Sequence, residues 1–185
     1  MYDLSVTSSF HGFVCDGTIV HNSEIEMCLN TVMRMIWAEE YNCLVGDTLI
    51  LTDRGNVPIE DLVHHKFRIW DGQDWYPAQA FITEVKPVFY TELSNEYWLE
   101  SSPEHKFLVV EDGKEIWREQ RDLHIGDVVL TANPDTLKTA TAQVVKADKK
   151  ILGYEEMYDI EVLNDRHLFF ANGIGTHNSR NFKQG

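Results

Sequence analysis

Apolar and polar positions along this chain follow two different periods. Between residues 23 and 41, Leu29, Val32, Met33, Ile36 and Trp37 recur at three- and four-residue spacing, which marks one apolar helical face. The segment opens Ser23-Glu24-Ile25-Glu26, an S-x-x-E capping box in which hydroxyl and carboxylate satisfy the orphan N–H groups of a first turn. It predicts an amphipathic helix packed on a partner surface. From Cys43 onward the texture changes to short β-rich runs at residues 48–52, 67–70, 75–85, 88–93, 106–110, 128–131, 141–147, 158–162 and 168–171. Turn signals separate them, at Asp53-Arg54-Gly55-Asn56, Asp71-Gly72, Asp112-Gly113, Gly126-Asp127 and Asn133-Pro134. With single helical turns at 59–63 and 119–123, the pattern predicts an all-β fold carrying an N-terminal appendage that contains the helix. The Thr-rich stretch 131–141 reads as a surface loop.

One stretch occurs twice. Residues 1–23 and 157–179 align without a gap and are identical at 10 of 23 positions. Among the identities are Asp3 and Asp159, His11 and His167, His21 and His177, Asn22 and Asn178, and Ser23 and Ser179. A repeat kept for packing preserves apolar periodicity. This one preserves an acid, two imidazoles, an amide and a hydroxyl, which points to chemistry.

The β-rich unit begins at Cys43 and ends at His177-Asn178-Ser179. A cysteine is the strongest side-chain nucleophile near neutral pH. The amide nitrogen of an asparagine can attack its own main-chain carbonyl, closing a succinimide and cutting the chain after itself. A serine can receive an acyl group. A nucleophile at one boundary, with a self-cleaving residue and an acceptor at the other, is what excision with religation requires. Each residue also has a plainer reading. Taken alone, Cys43 reads more often as a small buried hydrophobe than as a nucleophile, His105 and His167 as core or turn histidines, Ser102 as a turn cap, Asp159 as a solvent-facing or Lys-paired strand residue and Asn178 as a loop asparagine.

Taken together and in order, the motifs resemble those of an intein. They are Cys43-Leu44-Val45-Gly46-Asp47-Thr48 with Val57-Pro58-Ile59-Glu60-Asp61-Leu62, then Ser102-Pro103-Glu104-His105. Tyr158-Asp159-Ile160-Glu161-Val162 through His167-Leu168-Phe169-Phe170-Ala171-Asn172-Gly173 follows, and His177-Asn178-Ser179 closes the series. Ser102 stands where Thr is commoner in the family, and the hydroxyl is kept. The resemblance covers residues 43–178 and implies the horseshoe-like, all-β Hint fold and autocatalytic protein splicing. It implies that Cys43 attacks the Asn42 carbonyl, that His105, helped by Ser102, assists the scissile amide, and that Asp159 couples the first and second steps. Ser179 then takes the acyl group, and His167 and His177 assist the cyclisation of Asn178. No cofactor and no metal are implied. The partners implied are the flanking segments 23–42 and 179–185, as extein sequence and intramolecular substrate. With only residues 131–141 where a homing endonuclease would sit, the resemblance is to a mini-intein.

Residues 1–22 repeat only the carboxy-terminal motifs, with Asp3, His11, His21 and Asn22 in place and Ser23 following. They resemble the carboxy-terminal half of a split intein, whose amino-terminal half is a separate polypeptide. Both copies could also compete for one scaffold, in which case 23–42 leaves as a circle.

Charge narrows the field. Thirty Asp and Glu against sixteen Lys and Arg give a net charge of −14, which leaves no electrostatic footprint for phosphate backbones, so no nucleic-acid partner is expected. No apolar run approaches ~18 residues, so no membrane span is expected, and Met1 opens no basic, apolar leader. Cys15, Cys28 and Cys43, odd in number and unevenly spaced, predict a reducing, cytoplasmic setting without disulfides. Two further classes compete with splicing: a Hint-type autoprocessing domain that cleaves without ligation, and a non-catalytic β domain that binds through Trp70, Trp75, Tyr76, Trp98 and Trp117.

Overall fold

The computed structural model describes residues 12–15, 18–21, 42–162 and 165–178. The helix expected over 23–41, and the candidates Asp3, His11, Asn22, Ser23 and Ser179, lie outside the described residues. The chain divides into two units, Met1–Glu40 and Tyr41–Gly185.

In the first unit, β1 (Gly12–Cys15) and β2 (Thr18–His21) form an antiparallel hairpin in which Gly12 faces His21 and Cys15 faces Thr18. The last two strands of the second unit, β15 (Leu168–Ala171) and β16 (Ile174–His177), pair in the corresponding register, Leu168 facing His177 and Ala171 facing Ile174. The sequence repeat is therefore one supersecondary unit written twice. Its tight turn has a local cause. Asn172 and Gly173 both hold positive φ, 48° and 77°, as the favoured two-residue hairpin turn requires. The first copy carries Asp16-Gly17 at the same place in sequence.

The second unit is all-β, as the runs of short apolar segments predict. In chain order it comprises β3 (Leu44–Val45), β4 (Leu49–Thr52), β5 (Gly55–Pro58), the one-turn helix α1 (Ile59–Leu62), β6 (Phe67–Trp70), β7 (Trp75–Pro87), β8 (Phe89–Leu93) and β9 (Trp98–Ser101). Then follow β10 (Lys106–Glu111), β11 (Lys114–Glu119), a 3-10 turn at Gln120–Asp122, β12 (Val128–Ala132), β13 (Thr139–Asp148), β14 (Tyr154–Val162), β15 and β16. Neighbours run β11-β10-β12-β13-β8-β9-β3-β14-β7-β6-β4-β15-β16, with β5 on β4. Strand β16 then pairs back to β10 and β12, so the path returns on itself and carries the end of the unit to its middle.

The expected loop 131–141 is shorter than its composition implies. Strands β12 and β13 claim residues up to 132 and from 139, because threonine fits a pleated surface and Thr139 and Thr141 pair with Ala132 and Leu130. The core is continuous: Leu44, Ile50, Ile59, Leu99, Phe107, Leu123, Ile160, Phe169 and Ile174 are fully buried. Leu168, Phe169, Phe170 and Ala171 are buried on both faces of β15, which explains why that strand reads as an unbroken apolar run.

One irregularity matters later. Along β7 and β14, Ile82 faces Tyr158 but Val85 faces Glu156, so Thr83 and Glu84 together oppose Met157. This is a β-bulge on β7, the device that re-aims a side chain within a ladder.

Gly173 tests the hairpin. A Cβ there would meet Tyr97 Cε2 at 2.6 Å and the Ala132 carbonyl at 3.0 Å, on top of the positive φ. Gly173→Ala should lower the unfolding free energy by about 2 kcal/mol or more, read from urea midpoints at constant slope.

Candidate functional site

Strand register assembles the site. Strand β3 lies between β14 and β9, with Leu44 facing Tyr158 on one side and Ser101 on the other. Carried one residue outward, those registers set Cys43 level with Asp159 and Ser102, and the Ser102 N–H donates to the Cys43 carbonyl at 3.0 Å. Strand β16 faces β10 through Thr176 and Phe107 and faces β15 through His177 and Leu168. The same extension sets Asn178 level with His105 and His167, and the Asn178 N–H donates to the His167 carbonyl at 3.0 Å. The two ends of 43–178 thus meet in one buried seam.

The link across that seam is direct. Asn42 Nδ2 lies 3.2 Å from His177 Nδ1. Asn42, Cys43, Ser102, His105, Asp159, His177 and Asn178 are all buried. His177 is held by two rings, the edge of Trp117 at 4.7 Å and a stacked His167 at 5.4 Å between centroids. His167 takes a φ of 52°, a left-handed conformation uncommon for a residue with a Cβ. The Asn178 side chain donates from Nδ2 to the Val162 carbonyl at 3.3 Å.

Burial governs the electrostatics. The Cys43 thiol is pushed up to about 12, first by desolvation and second by the Asp159 charge; Lys86 and the Thr83 hydroxyl oppose this, and Glu104 adds to it. His105 is pushed down to about 3, again first by desolvation, against the backbone of Asn42 and with a contribution from His177. Near neutral pH the site therefore rests with a protonated thiol and an uncharged His105.

The structure brings together Cys43, Ser102, His105, Asp159, His167, His177 and Asn178, the described members of the expected constellation. His21 ends β2, and nothing further is described of it. Three contributors went unread in the sequence. Thr83, turned by the β7 bulge, sits with Oγ1 3.4 Å from Cys43 Sγ and donates to the Met157 carbonyl at 3.0 Å. With its single proton committed there, Thr83 accepts from the thiol. Lys86 is buried beside Glu104 at 3.5 Å and Glu84 at 3.7 Å, tying β7 to the loop before His105. Trp117, on β11, braces His177. The bulge that places Thr83 has no sequence signature, while the apolar run of β7 gave only the strand.

The aromatic residues do not form one surface. Trp70 packs on Trp75, Trp98 stacks on Tyr90, and Trp117 faces His177. Surface clefts lined by Val63–Lys66 with Gln79–Ile82, and by Leu49, Trp98 and Asn172, include none of the seam residues. Among the described residues, no three His, Cys, Asp or Glu side chains cluster in a way that could hold a metal ion. No helix among them is long and apolar enough to cross a membrane.

Comparison with known proteins places this geometry in a fold. No protein-family model matches the chain. A variant of the Ssp DnaB mini-intein superposes with a TM-score of 0.68 at 23% identity, covering 78% of this chain and 96% of that one. A DnaB intein from Synechocystis sp. superposes at 0.64 with 25% identity, covering 75% and 99%. An intein from a hyperthermophile superposes at 0.57 with 17% identity, covering 74% and 99%. The fold of the second unit is thus the Hint fold of inteins. In sequence, the chain is 33% identical over 81 residues to the ribonucleoside-diphosphate reductase large subunit of Invertebrate iridescent virus 6. It is 33% identical over 97 residues to a DNA polymerase of Thermococcus aggregans. These stretches cover 43% and 52% of this chain but only 8% and 5% of those proteins.

Acid stability reads His105 directly. Its proton affinity is lower folded than unfolded, so its contribution is present above pH 6.5 and is lost as pH falls toward about 3. Urea unfolding at stepped pH should show His105→Gln losing the acid limb by a few kcal/mol relative to the parent chain. Parallel pH dependence in the two would remove this assignment.

Proposed function

We propose that residues 43–178 are a self-splicing element that excises itself and joins Asn42 to Ser179. The observation that carries the reading is the meeting of both junctions in one water-poor seam, with Asn42 Nδ2 at 3.2 Å from His177 Nδ1. Supporting it are the Hint fold and the occurrence of such elements among its structural neighbours.

In the first step Cys43 Sγ attacks the Asn42 carbonyl carbon, and the peptide bond to the Cys43 nitrogen breaks to leave a thioester. A thiol pushed to about 12 is not ionised in advance, so its proton has to be taken as the carbon–sulfur bond forms. Asp159, level with Cys43 in the ladder, is the acceptor. The neutral His105 ring acts as a relay, gaining a proton at one nitrogen as it gives one from the other to the departing Cys43 nitrogen, so that Asp159 is left ionised again and the net proton movement is from sulfur to nitrogen. Ser102 fixes the Cys43 carbonyl through its N–H. The Ser179 hydroxyl then attacks the thioester, forming a branched ester and returning the thiol. Asn178 Nδ2 leaves the Val162 carbonyl and closes onto its own carbonyl carbon, with His167 and His177 assisting, which releases 43–178. The ester between Asn42 and Ser179 rearranges to an amide. Tethering supplies effective molarities of ~10⁵ M or more, so no substrate pocket is required.

The flanking segments 23–42 and 179–185 are then host sequence and intramolecular substrate. Residues 1–22, whose strands β1 and β2 pair in the same register as β15 and β16, act as the carboxy-terminal half of a split element with a separate amino-terminal partner.

Intact mass of freshly expressed chain over time should show a species matching 43–178 and a joined flank product. Cys43→Ala should lower joining by at least about a thousandfold, and Ser179→Ala should abolish joining while cleavage persists. A parent chain whose mass stays unchanged over time would overturn the proposal. In an Asn178→Ala, Ser179→Ala background, release of the amino-terminal piece by added thiol reads the first step alone. There Thr83→Val should slow release about fivefold, the worth of one hydrogen bond, and Thr83→Ser should restore it.

A further inference from the structure

Both boundaries of 43–178 carry the same pair of residue types, an asparagine followed by a thiol or hydroxyl: Asn42-Cys43 and Asn178-Ser179. Splicing assigns a reaction to the second asparagine only. The structure gives the first a base within hydrogen-bond reach. Asn42 Nδ2 lies 3.2 Å from His177 Nδ1, whereas Asn178 Nδ2 is donated to the Val162 carbonyl, a group that cannot take a proton. We propose that Asn42 is a second self-cleaving asparagine, which cyclises through Nδ2 onto its own carbonyl carbon and cuts the Asn42–Cys43 bond without Cys43.

The step balances without a co-reactant. The bond from Asn42 Nδ2 to the Asn42 carbonyl carbon forms, and the bond from that carbon to the Cys43 nitrogen breaks. One proton leaves Nδ2 for His177 Nδ1, and one proton ends on the Cys43 nitrogen, which departs as an amine. The products are an amino-terminal piece ending in a succinimide and a chain beginning at Cys43. No water is consumed, so the burial of Asn42, only 4% exposed, favours ring closure over hydrolysis. His177 accepts at Nδ1 when its proton sits on Nε2. Trp117 and His167 hold the ring in place. His105 is buried against the Asn42 backbone, beside the bond that breaks.

The outcome differs from splicing. Cyclisation of Asn42 consumes the carbonyl that Cys43 needs, so each event releases the preceding segment unjoined. Asn42 would set a partition between ligation and release. The inference rests on the splicing reading, because it uses the same scissile bond and the same histidines.

Cys43→Ala separates the two. In that chain the thioester route is closed, while Asn178 and both histidines remain. Mass spectrometry of the incubated protein reports a cut after Asn178 and a cut after Asn42 as distinct fragments. The expected result is both cuts, with the fragment ending at residue 42 lighter by one water than one ending in asparagine carboxylate. Asn42→Gln, added to Cys43→Ala, keeps the amide but demands a six-membered ring, and should slow the first cut at least about tenfold while leaving the cut after Asn178. A cut after Asn178 alone shows a folded, reactive site and overturns the inference while the splicing reading stands. The first cut persisting at full rate in Asn42→Gln also overturns it. Neither cut occurring overturns the inference, and the joined flank product of the parent chain then decides the splicing reading by itself.

Discussion

The chemistry of this protein depends on a constraint of strand register. Cys43 is held by β3, whose two neighbours set it level with Asp159 and Ser102; Asn178 is held by β16, whose two neighbours set it level with His105 and His167. Side chains alternate faces along a strand, so a slip of one residue in either ladder would turn half of this set away. The return of β16 to β10 and β12 is what joins the two groups, and the buried Phe107, Phe169 and Ile174 pin those ladders. The sheet does not merely support the site. Its pairing pattern is the site's coordinate system.

Burial then fixes the resting charge state. An exposed cysteine near a histidine would be partly ionised; here desolvation and Asp159 hold the thiol protonated, and desolvation holds His105 neutral. Lys86 and Thr83 pull the other way, placing a cation and a hydroxyl near the sulfur without overcoming the burial. A site so arranged is quiet until proton transfer accompanies bond formation, which suits a reaction that a chain performs on itself and must not start before folding is complete. The raised thiol also has a stability consequence. Its contribution is present below pH 9.0 and is lost as pH rises toward about 12.

Legibility in the sequence divides along physical lines. The all-β class followed from short apolar runs and turn residues; Asp159, His167, His177 and Asn178 stood out because polar identities repeat between distant stretches, and Cys43, Ser102 and His105 through the ordered motifs that resemble those of an intein. Strands β3, β5, β9, β11 and β16 lie outside the expected runs, and Gly55-Asn56, read as part of a turn, opens β5. Trp98–Ser101 and Lys114–Glu119 mix charge into the pattern, and Ile174–His177 contains a glycine, so their pairing is decided by neighbours distant in sequence. Thr83 escaped for a sharper reason. In a regular ladder its side chain would follow the alternation of β7, and only the extra residue opposite Met157 re-aims it. Lys86 escaped because a lysine at a strand end reads as solvated, whereas the two carboxylates that bury it come from the sequence positions 84 and 104.

The arrangement of the two asparagines orders events on the proposed route. While Asn42 is in place, its amide occupies His177 Nδ1 and the Asn178 amide is held on the Val162 carbonyl. Cyclisation of Asn178 needs both contacts to change. Acyl transfer from Asn42 to sulfur and then to Ser179 moves the Asn42 residue along with its carbonyl, and so withdraws its amide from the imidazole. His177 then turns to the asparagine next to it in sequence, braced throughout by Trp117. One histidine shared between two junctions thereby couples them: the second bond is cut faster once the first acyl group has moved, because the same ring cannot serve both amides at once, and loss of Cys43 slows that cut without forbidding it.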